Sequence, residues 1–483
     1  MSLAVDLHRT VVQRAVARAW PLLLPVPAAL AAWLGVTQPR VAVALALVAA
    51  VVVTVALRPA VAAYALIVVT PLTAGIDRGS AIPMLRPNEA MAALVGGALV
   101  LRWLVTAREG QRLRVRLTPI EGSLLAMAVA SSVLPLLFME LRQRPITSDD
   151  LLYALVMWKF AAVYLIVRVS IRTEHQVRWC LRLSIGVAAV VAVIAIFQAL
   201  GLLHVREVLS TYFVPNGNVG ALANPRGGAT LALPAAVADV MIYNLAVLVG
   251  LSRRTHHAKV LACFGVLFVI AAVSAGEFSS ALGLVIGAVV AAIIVRRPRM
   301  LLLGLPLGAL AALVAWPIIA VRLTGFGTAS GLPDSWQGRL RNLQSYFWPQ
   351  LTDPGNLLLG VRPSARVVVP SQATGYVWIE SGYTWLVWGG GVPLLLAFVW
   401  FVWASIRHAG AVSRARHDAV GAAATGLLVG VVVMTVLMLF DPHLTYRGAA
   451  DALFILAALA QTGQGQGSPP APEAANTEEA VAT

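Results

Sequence analysis

Long runs of apolar residues, each closed by an arginine, a proline or a polar cluster, recur along the whole chain. They fall at 21–36, 41–57, 60–75, 89–105, 119–137, 151–168, 182–203, 229–251, 259–275, 279–295, 300–320, 382–403, 419–440 and 448–462. Runs of this length suit a hydrocarbon core of ~30 Å at ~1.5 Å per helical residue. Lipid offers the backbone no hydrogen-bond partner, so such runs must satisfy their own groups as helices. The pattern predicts an all-α polytopic membrane protein with about 12–14 transmembrane helices. The first two runs and the last are short, and a pair of them would also fit as re-entrant or interfacial segments.

The polar connections carry the orientation. With the N-terminus in the cytoplasm, one side collects Arg108, Arg112, Arg114 and Arg116; Arg168, Arg172 and Arg178; Arg253, Arg254 and Lys259; Arg296, Arg297 and Arg299; and Arg407, Arg414 and Arg416. Every strongly basic short loop lies there, as the positive-inside rule requires, and both termini are placed in the cytoplasm. The opposite side receives 76–88, 138–150, 204–228, 321–381 and 441–447. The loop at 321–381 is too long for a simple connector, so short helices of its own are expected, among them an amphipathic one over Asp334–Trp348. Five regions follow. They are a cytoplasmic segment at 1–20, a bundle of about eleven spans at 21–320, the large loop at 321–381, C-terminal spans at 382–462, and a disordered tail at 463–483.

Composition agrees with this pattern. At 59% hydrophobic, 12% charged and a mean hydropathy of +0.82, the chain cannot have water as its main solvent. The formal charge of +15 does not indicate nucleic acid, because most of the basic residues sit in short connections between apolar runs. Cys180 and Cys263 fall on different segments without metal-ligand spacing, which argues against a disulfide or zinc. Arg9, Arg14 and Arg18 make the first residues basic and amphipathic, and no convincing cleavage site follows.

Candidate chemistry lies on the side opposite the basic loops. It keeps Arg78, Arg86, Arg142, Arg144, Arg206, Arg226, Arg322, Arg339, Arg341, Arg362, Arg366 and Arg447 against the general trend. Any one of these is satisfied by solvent or by snorkelling. Together they suit bidentate recognition of phosphate.

Three stretches resemble the O-antigen ligase and Wzy-type polysaccharide polymerase superfamily of bacterial membrane glycosyltransferases. Ala223-Asn224-Pro225-Arg226-Gly227-Gly228 is similar to an Arg/Gly/Asn-Pro segment ahead of a helix. Ser274 to Ala281 looks like a serine-rich hairpin between spans. The large loop runs through Gly338-Arg339 and Pro354–Gly360 to Glu380-Ser381-Gly382-Tyr383, then into a span with Gly389-Gly390-Gly391. The resemblance implies a GT-C-like, metal-independent, inverting glycosyltransferase without cofactor, in a bacterial inner membrane. It would move glycan from a polyprenyl-diphosphate-linked donor to a glycan or lipid acceptor on the extracytoplasmic face. Membrane lipids and other polysaccharide-assembly proteins are the further partners implied. Ligases of this group resemble one another in a His at the end of the big loop, whereas 321–381 holds none, which favours a polymerase. Glu277 stands where many relatives carry Arg.

Two readings stand for most candidates. Glu380 is either the general base for the acceptor hydroxyl or a helix N-cap carboxylate beside Ser381. Arg226 and Arg339 are first choices for the diphosphate, with Arg341, Arg206, Arg447 and Arg86 behind them, each against a surface role. Asp149 and Asp150 read as helix caps more readily than as ligands of a divalent ion. Lys159 and Asp239 lie within apolar runs, where a mutual ion pair would offset the cost of charge. Trp336, Trp348, Trp378, Trp385 and Trp388 suit an interfacial belt, Trp378 also a sugar-stacking role. A lipid-linked oligosaccharide flippase is the rival function, although no internal repeat is visible. A non-catalytic scaffold of envelope assembly is the third.

Overall fold

The computed structural model describes residues 37–80, 82, 84–108, 117–213, 226–253, 258–296, 298–323, 334–370, 372 and 375–463. The N-terminal segment, the span expected at 21–36, the first residues of the Ala223–Gly228 stretch and the tail from 464 lie outside them. Eighteen α-helices follow in order. They are α1 Pro39–Leu57, α2 Ala60–Thr73, α3 Pro87–Arg108, α4 Pro119–Leu141, α5 Ser148–Ser170, α6 Glu174–Leu200, α7 Val205–Tyr212, α8 Pro234–Ser252 and α9 Ala258–Ser274. The second half holds α10 Phe278–Val295, α11 Arg299–Val314, α12 Trp316–Leu323, α13 Asp334–Asn342, α14 Trp348–Leu351, α15 Asn356–Leu359, α16 Gly382–Ala415, α17 Ala419–Leu437 and α18 Ala449–Leu459. A short hairpin of β1 Arg366–Val368 and β2 Tyr376–Trp378 interrupts the helices, with Val367 opposite Val377.

Among the described residues, nine helices are long and apolar enough to cross a membrane: α1, α3, α4, α5, α6, α8, α10, α16 and α17. The chain is a multi-pass helical protein, and among the described residues four further apolar runs form helices shorter than eighteen residues. The run at 300–320 breaks at Ala315, where the Pro317 ring cannot share the helix with the carbonyl of Leu313. The run at 448–462 yields an α-helix of only 11 residues, α18, roughly 16 Å, whose flanking turns carry the chain from Arg447, paired with Asp77 at one end, to Gln461, bonded to Thr118 at the other. The expected amphipathic helix over Asp334–Trp348 is α up to Asn342 and then widens into a π-turn at Leu343–Phe347.

Small residues set the centre. In lipid, helices associate through close packing. Gly421, Ala422, Ala423, Ala424, Gly426 and Gly430 make α17 slender, and most of its apolar stretch is buried, whereas almost none of α1 is. A side chain at Gly430 would press on Tyr243 of α8 at 3.0 Å. Helices α8 and α17 are therefore the axis, and α1 and α3 lie at the periphery.

The two ends of the bundle are fixed by contacts between connections. At one end, Gly75 donates to Thr230, Gly382 to Met438 and Gly227 to Ser274, and Arg362 pairs with Asp150, so the large loop sits there. At the other end, Arg253 donates to the Ser413 carbonyl, Ala419 to Glu174 and Thr118 to Gln461. The intramembrane charges do not pair with each other as expected. Lys159 reaches Asp451 of α18 at 3.2 Å, and Asp239 meets His443 at 2.7 Å, both carboxylates being almost wholly buried. α18 and the turn before it supply both partners.

Helix α16 turns at Gly391, whose φ of +66° and ψ of −162° are open to glycine alone. Pro393 already denies Gly389 its helical partner, and the kink lets the Trp388 carbonyl accept from Val361 at 2.7 Å. The backbone of Leu358 and Leu359 rests directly on Gly391. Gly391→Ala is expected to cost on the order of 2 kcal/mol and to loosen α15 from α16. A melting temperature in detergent equal to that of the unsubstituted chain would show that the kink bears no such constraint.

Candidate functional site

At the loop end a half-open cavity of about 260 Å³ is lined by Arg226, Glu277, Phe278, Trp336, Arg339, Asn342, Glu380 and Phe440. Its residues come from segments far apart in sequence. Arg226 is carried across the tips of α6 and α9, because Gly227 packs against the Ala195 carbonyl and donates to Ser274 at 3.1 Å, while the Ala229 N–H donates to Gln198 at 2.7 Å. This sets the Arg226 guanidinium 2.6 Å from Glu277 in the α9–α10 turn. Arg339 projects from α13, donates to Asp441 at 2.6 Å and stands 3.5 Å from Glu380. Trp336, three residues earlier on the same face, lies against Phe440 with ring centres 5.0 Å apart.

Glu380 does not cap α16. Ser381 does, accepting from the Thr384 N–H at 3.3 Å, and Glu380 turns toward Arg339 and Asn342 instead. The Asn342 amide donates to it at 3.4 Å, so both of its contacts are long. Glu277 and Asp441, in contrast, are held at 2.6 Å by guanidinium groups. Burial pushes the Glu380 carboxyl above its ordinary value and the charge of Asp441 adds to this, while Arg339 and Asn342 pull the other way. Burial alone would weaken the hold of Arg339 on its proton, yet Asp441 and Glu380 beside it raise its pKa above the usual one. Among the described residues two guanidinium groups thus face three carboxylates, and Glu380 is the least engaged of the three. Arg226 commits one N–H to Glu277, which leaves donors of its fork for a ligand.

The other expected arginines lie elsewhere. Arg86 and Arg78 share Glu89, at 3.1 and 2.8 Å, and Arg447 pairs with Asp77 at 3.4 Å. Burial pulls the Arg86 pKa down to about 10, with repulsion from Arg447 and Arg78 adding to it. These residues form a second cationic cluster, and none of them lines the cavity. Arg206 clamps the last carbonyls of α6, donating to Gln198 at 2.7 Å and Ala199 at 2.9 Å, where a cation complements the helix dipole. Arg341 is exposed and faces away, since residues two apart on a helix do not share a face.

Asp149 and Asp150 do begin α5, with Thr147 and Asp150 bonded reciprocally, but they also hold the large loop. Arg366 forks onto Asp149 and Arg362 onto Asp150, so their carboxylate oxygens are already occupied by guanidinium groups. Sequence reasoning missed Asp441, Asn342 and Phe440, and treated Trp336 only as part of an aromatic belt. The polar break Asp441-Pro442-His443 between two apolar runs was the available signal. His443 does not line the cavity, because its ring is buried in the pair with Asp239. Compared with family models, curated proteins and solved structures, the chain matches none.

Proposed function

We propose that this chain is a membrane glycosyltransferase of the O-antigen ligase/polymerase type, working on the extracytoplasmic face of a bacterial inner membrane with both termini in the cytoplasm. The observation that carries this reading is the convergence of Arg226, Arg339 and Glu380, from separate stretches, on one half-open cavity. The donor is a glycan on a polyprenyl diphosphate, entering sideways from the bilayer, and the acceptor is a glycan or lipid under the large loop. Glu380 takes the proton of the acceptor hydroxyl as its oxygen attacks the anomeric carbon from the face opposite the leaving group. The bond from that carbon to the diphosphate oxygen breaks, and the departing anion is met by Arg226 and Arg339 in place of a metal ion. Trp336 and Phe440 offer a face on which a sugar ring can stack. The absence of His from 321–381, with His443 committed to Asp239, favours polymerase over ligase.

The test is transfer from a synthetic polyprenyl-diphosphate oligosaccharide by purified protein in proteoliposomes with EDTA present. Lengthened or relocated product is expected, reduced about 100-fold or more by Arg339→Ala. Labelled lipid-linked sugar crossing the bilayer without new product would replace this reading with the flippase.

The raised pKa of Glu380 gives a second expectation. A base must be deprotonated to act, so kcat/KM should fall as pH drops through its pKa, with the midpoint above the ordinary 4.5. A pH–rate profile flat down to that value would remove Glu380 from the role.

A further inference from the structure

A second cavity of about 300 Å³ lies at the opposite end of the bundle, between the last turns of α10 and α16 and the middle of α17. Its place follows from helix direction: Phe278 starts α10 at the first cavity, and Arg296, just past its end, lines the second about 27 Å away. Val290, Ile293, Ile294 and Leu428 form an apolar wall, and Arg296 and Arg414 stand over it. The wall continues onto an outward stripe of α10, where Val285 and Ile293 are 62% and 69% exposed, so it opens toward acyl chains. Neither arginine makes an ion pair among the described residues, and a third, Arg253, is tied to the Ser413 carbonyl alongside. Asp418, the nearest acid in sequence, is held by Arg416.

Apolar walls beneath two guanidinium groups that have no ion pair among the described residues match one molecule in both parts. We infer that this cavity binds an anionic phospholipid, with its phosphodiester between Arg296 and Arg414 and an acyl chain along Val290, Ile293 and Leu428. A soluble anion would satisfy the arginines and leave the apolar wall uncovered. The acidic C-terminal residues Glu473, Glu478 and Glu479, outside the described residues, would do the same. The lipid alone covers both parts, and basic pockets between spans are suited to such headgroups.

The experiment is native mass spectrometry of the full chain after exchange with equal phosphatidylglycerol and phosphatidylcholine of matched chains. The unsubstituted protein is expected to retain phosphatidylglycerol over phosphatidylcholine about 30-fold, as two basic side chains near an anionic headgroup imply. The preference should disappear in Arg296→Gln/Arg414→Gln and persist in Arg407→Gln, which removes a basic side chain at the same end. Unchanged melting temperature in phosphatidylcholine alone checks that the double variant is folded. Equal retention by the double variant would overturn the assignment. Displacement by millimolar inorganic phosphate would overturn it in favour of a free-anion site. No preference in the unsubstituted chain, with one appearing only in Glu473→Gln/Glu478→Gln/Glu479→Gln, would overturn it in favour of the chain's own C-terminal residues.

Discussion

Glu380→Gln is expected to abolish glycan transfer, by about 100- to 10,000-fold in kcat, without unfolding the protein. The amide is isosteric, and its oxygen can still accept from Asn342, which now donates to the carboxylate at 3.4 Å. Arg339 keeps its shorter bond to Asp441 at 2.6 Å, so the wall of the cavity should stand. What the variant loses is the only loosely held carboxylate among the three at the site. It also removes a negative charge from a cavity that an anionic donor must enter, so such a donor should bind at least as well as before. The signature is therefore a split: kcat collapses while KM for the donor stays or falls. Glu277→Gln, which leaves Glu380 in place, should instead free Arg226 and lower KM with modest change in kcat. A Glu380→Gln enzyme within threefold of normal turnover would end the general-base assignment, whatever happened to donor binding.

How far the sequence predicts this arrangement depends on what each feature rests on. Span positions rest on local hydropathy, and most observed helices begin and end within a few residues of the apolar runs. The errors arise where a tertiary or stereochemical effect overrides hydropathy. Pro317 splits one run, and α18 is shorter than its apolar run and wholly enclosed by protein, which hydropathy alone does not distinguish from a lipid-facing span. Pairing of charges is not local, so Lys159 with Asp239 was a reasonable expectation that geometry replaced with Asp451 and His443. Arg226, Arg339 and Glu380 stand in the motifs that carry the resemblance and rank first on that ground, and the fold brings these three to one cavity while it sends Arg86, Arg206, Arg341 and Arg447 elsewhere. The polar break at Asp441 is visible in the sequence, but its place beside Arg339 is not, because that depends on how α13 is laid over it.

Arg362→Met should produce the largest loss of stability, about 2–3 kcal/mol, and detach part of the large loop. Arg362 forks onto Asp150 at 2.9 and 2.5 Å, and the Asp150 side chain is entirely buried. Breaking a buried pair from the cationic side leaves the carboxylate without its countercharge, which commonly costs ~3–5 kcal/mol. The figure is set lower because Arg362 is 30% exposed and because Asp150 keeps the Thr147 N–H and hydroxyl and the Ser364 N–H. The segment so released includes Ser364, whose carbonyl receives the Trp388 indole at 2.8 Å, and Arg366, which begins the hairpin before Glu380. Trypsin should cleave after Arg366 faster in the variant, and transfer should weaken through misplacement of Glu380 without any change in the pH midpoint. Adding Asp150→Asn removes the orphaned charge while keeping an acceptor for the Thr147 N–H, so the double variant should melt above the single one. Equal melting of Arg362→Met and the unsubstituted chain, or a double variant less stable than the single, would mean that this pair does not hold the loop.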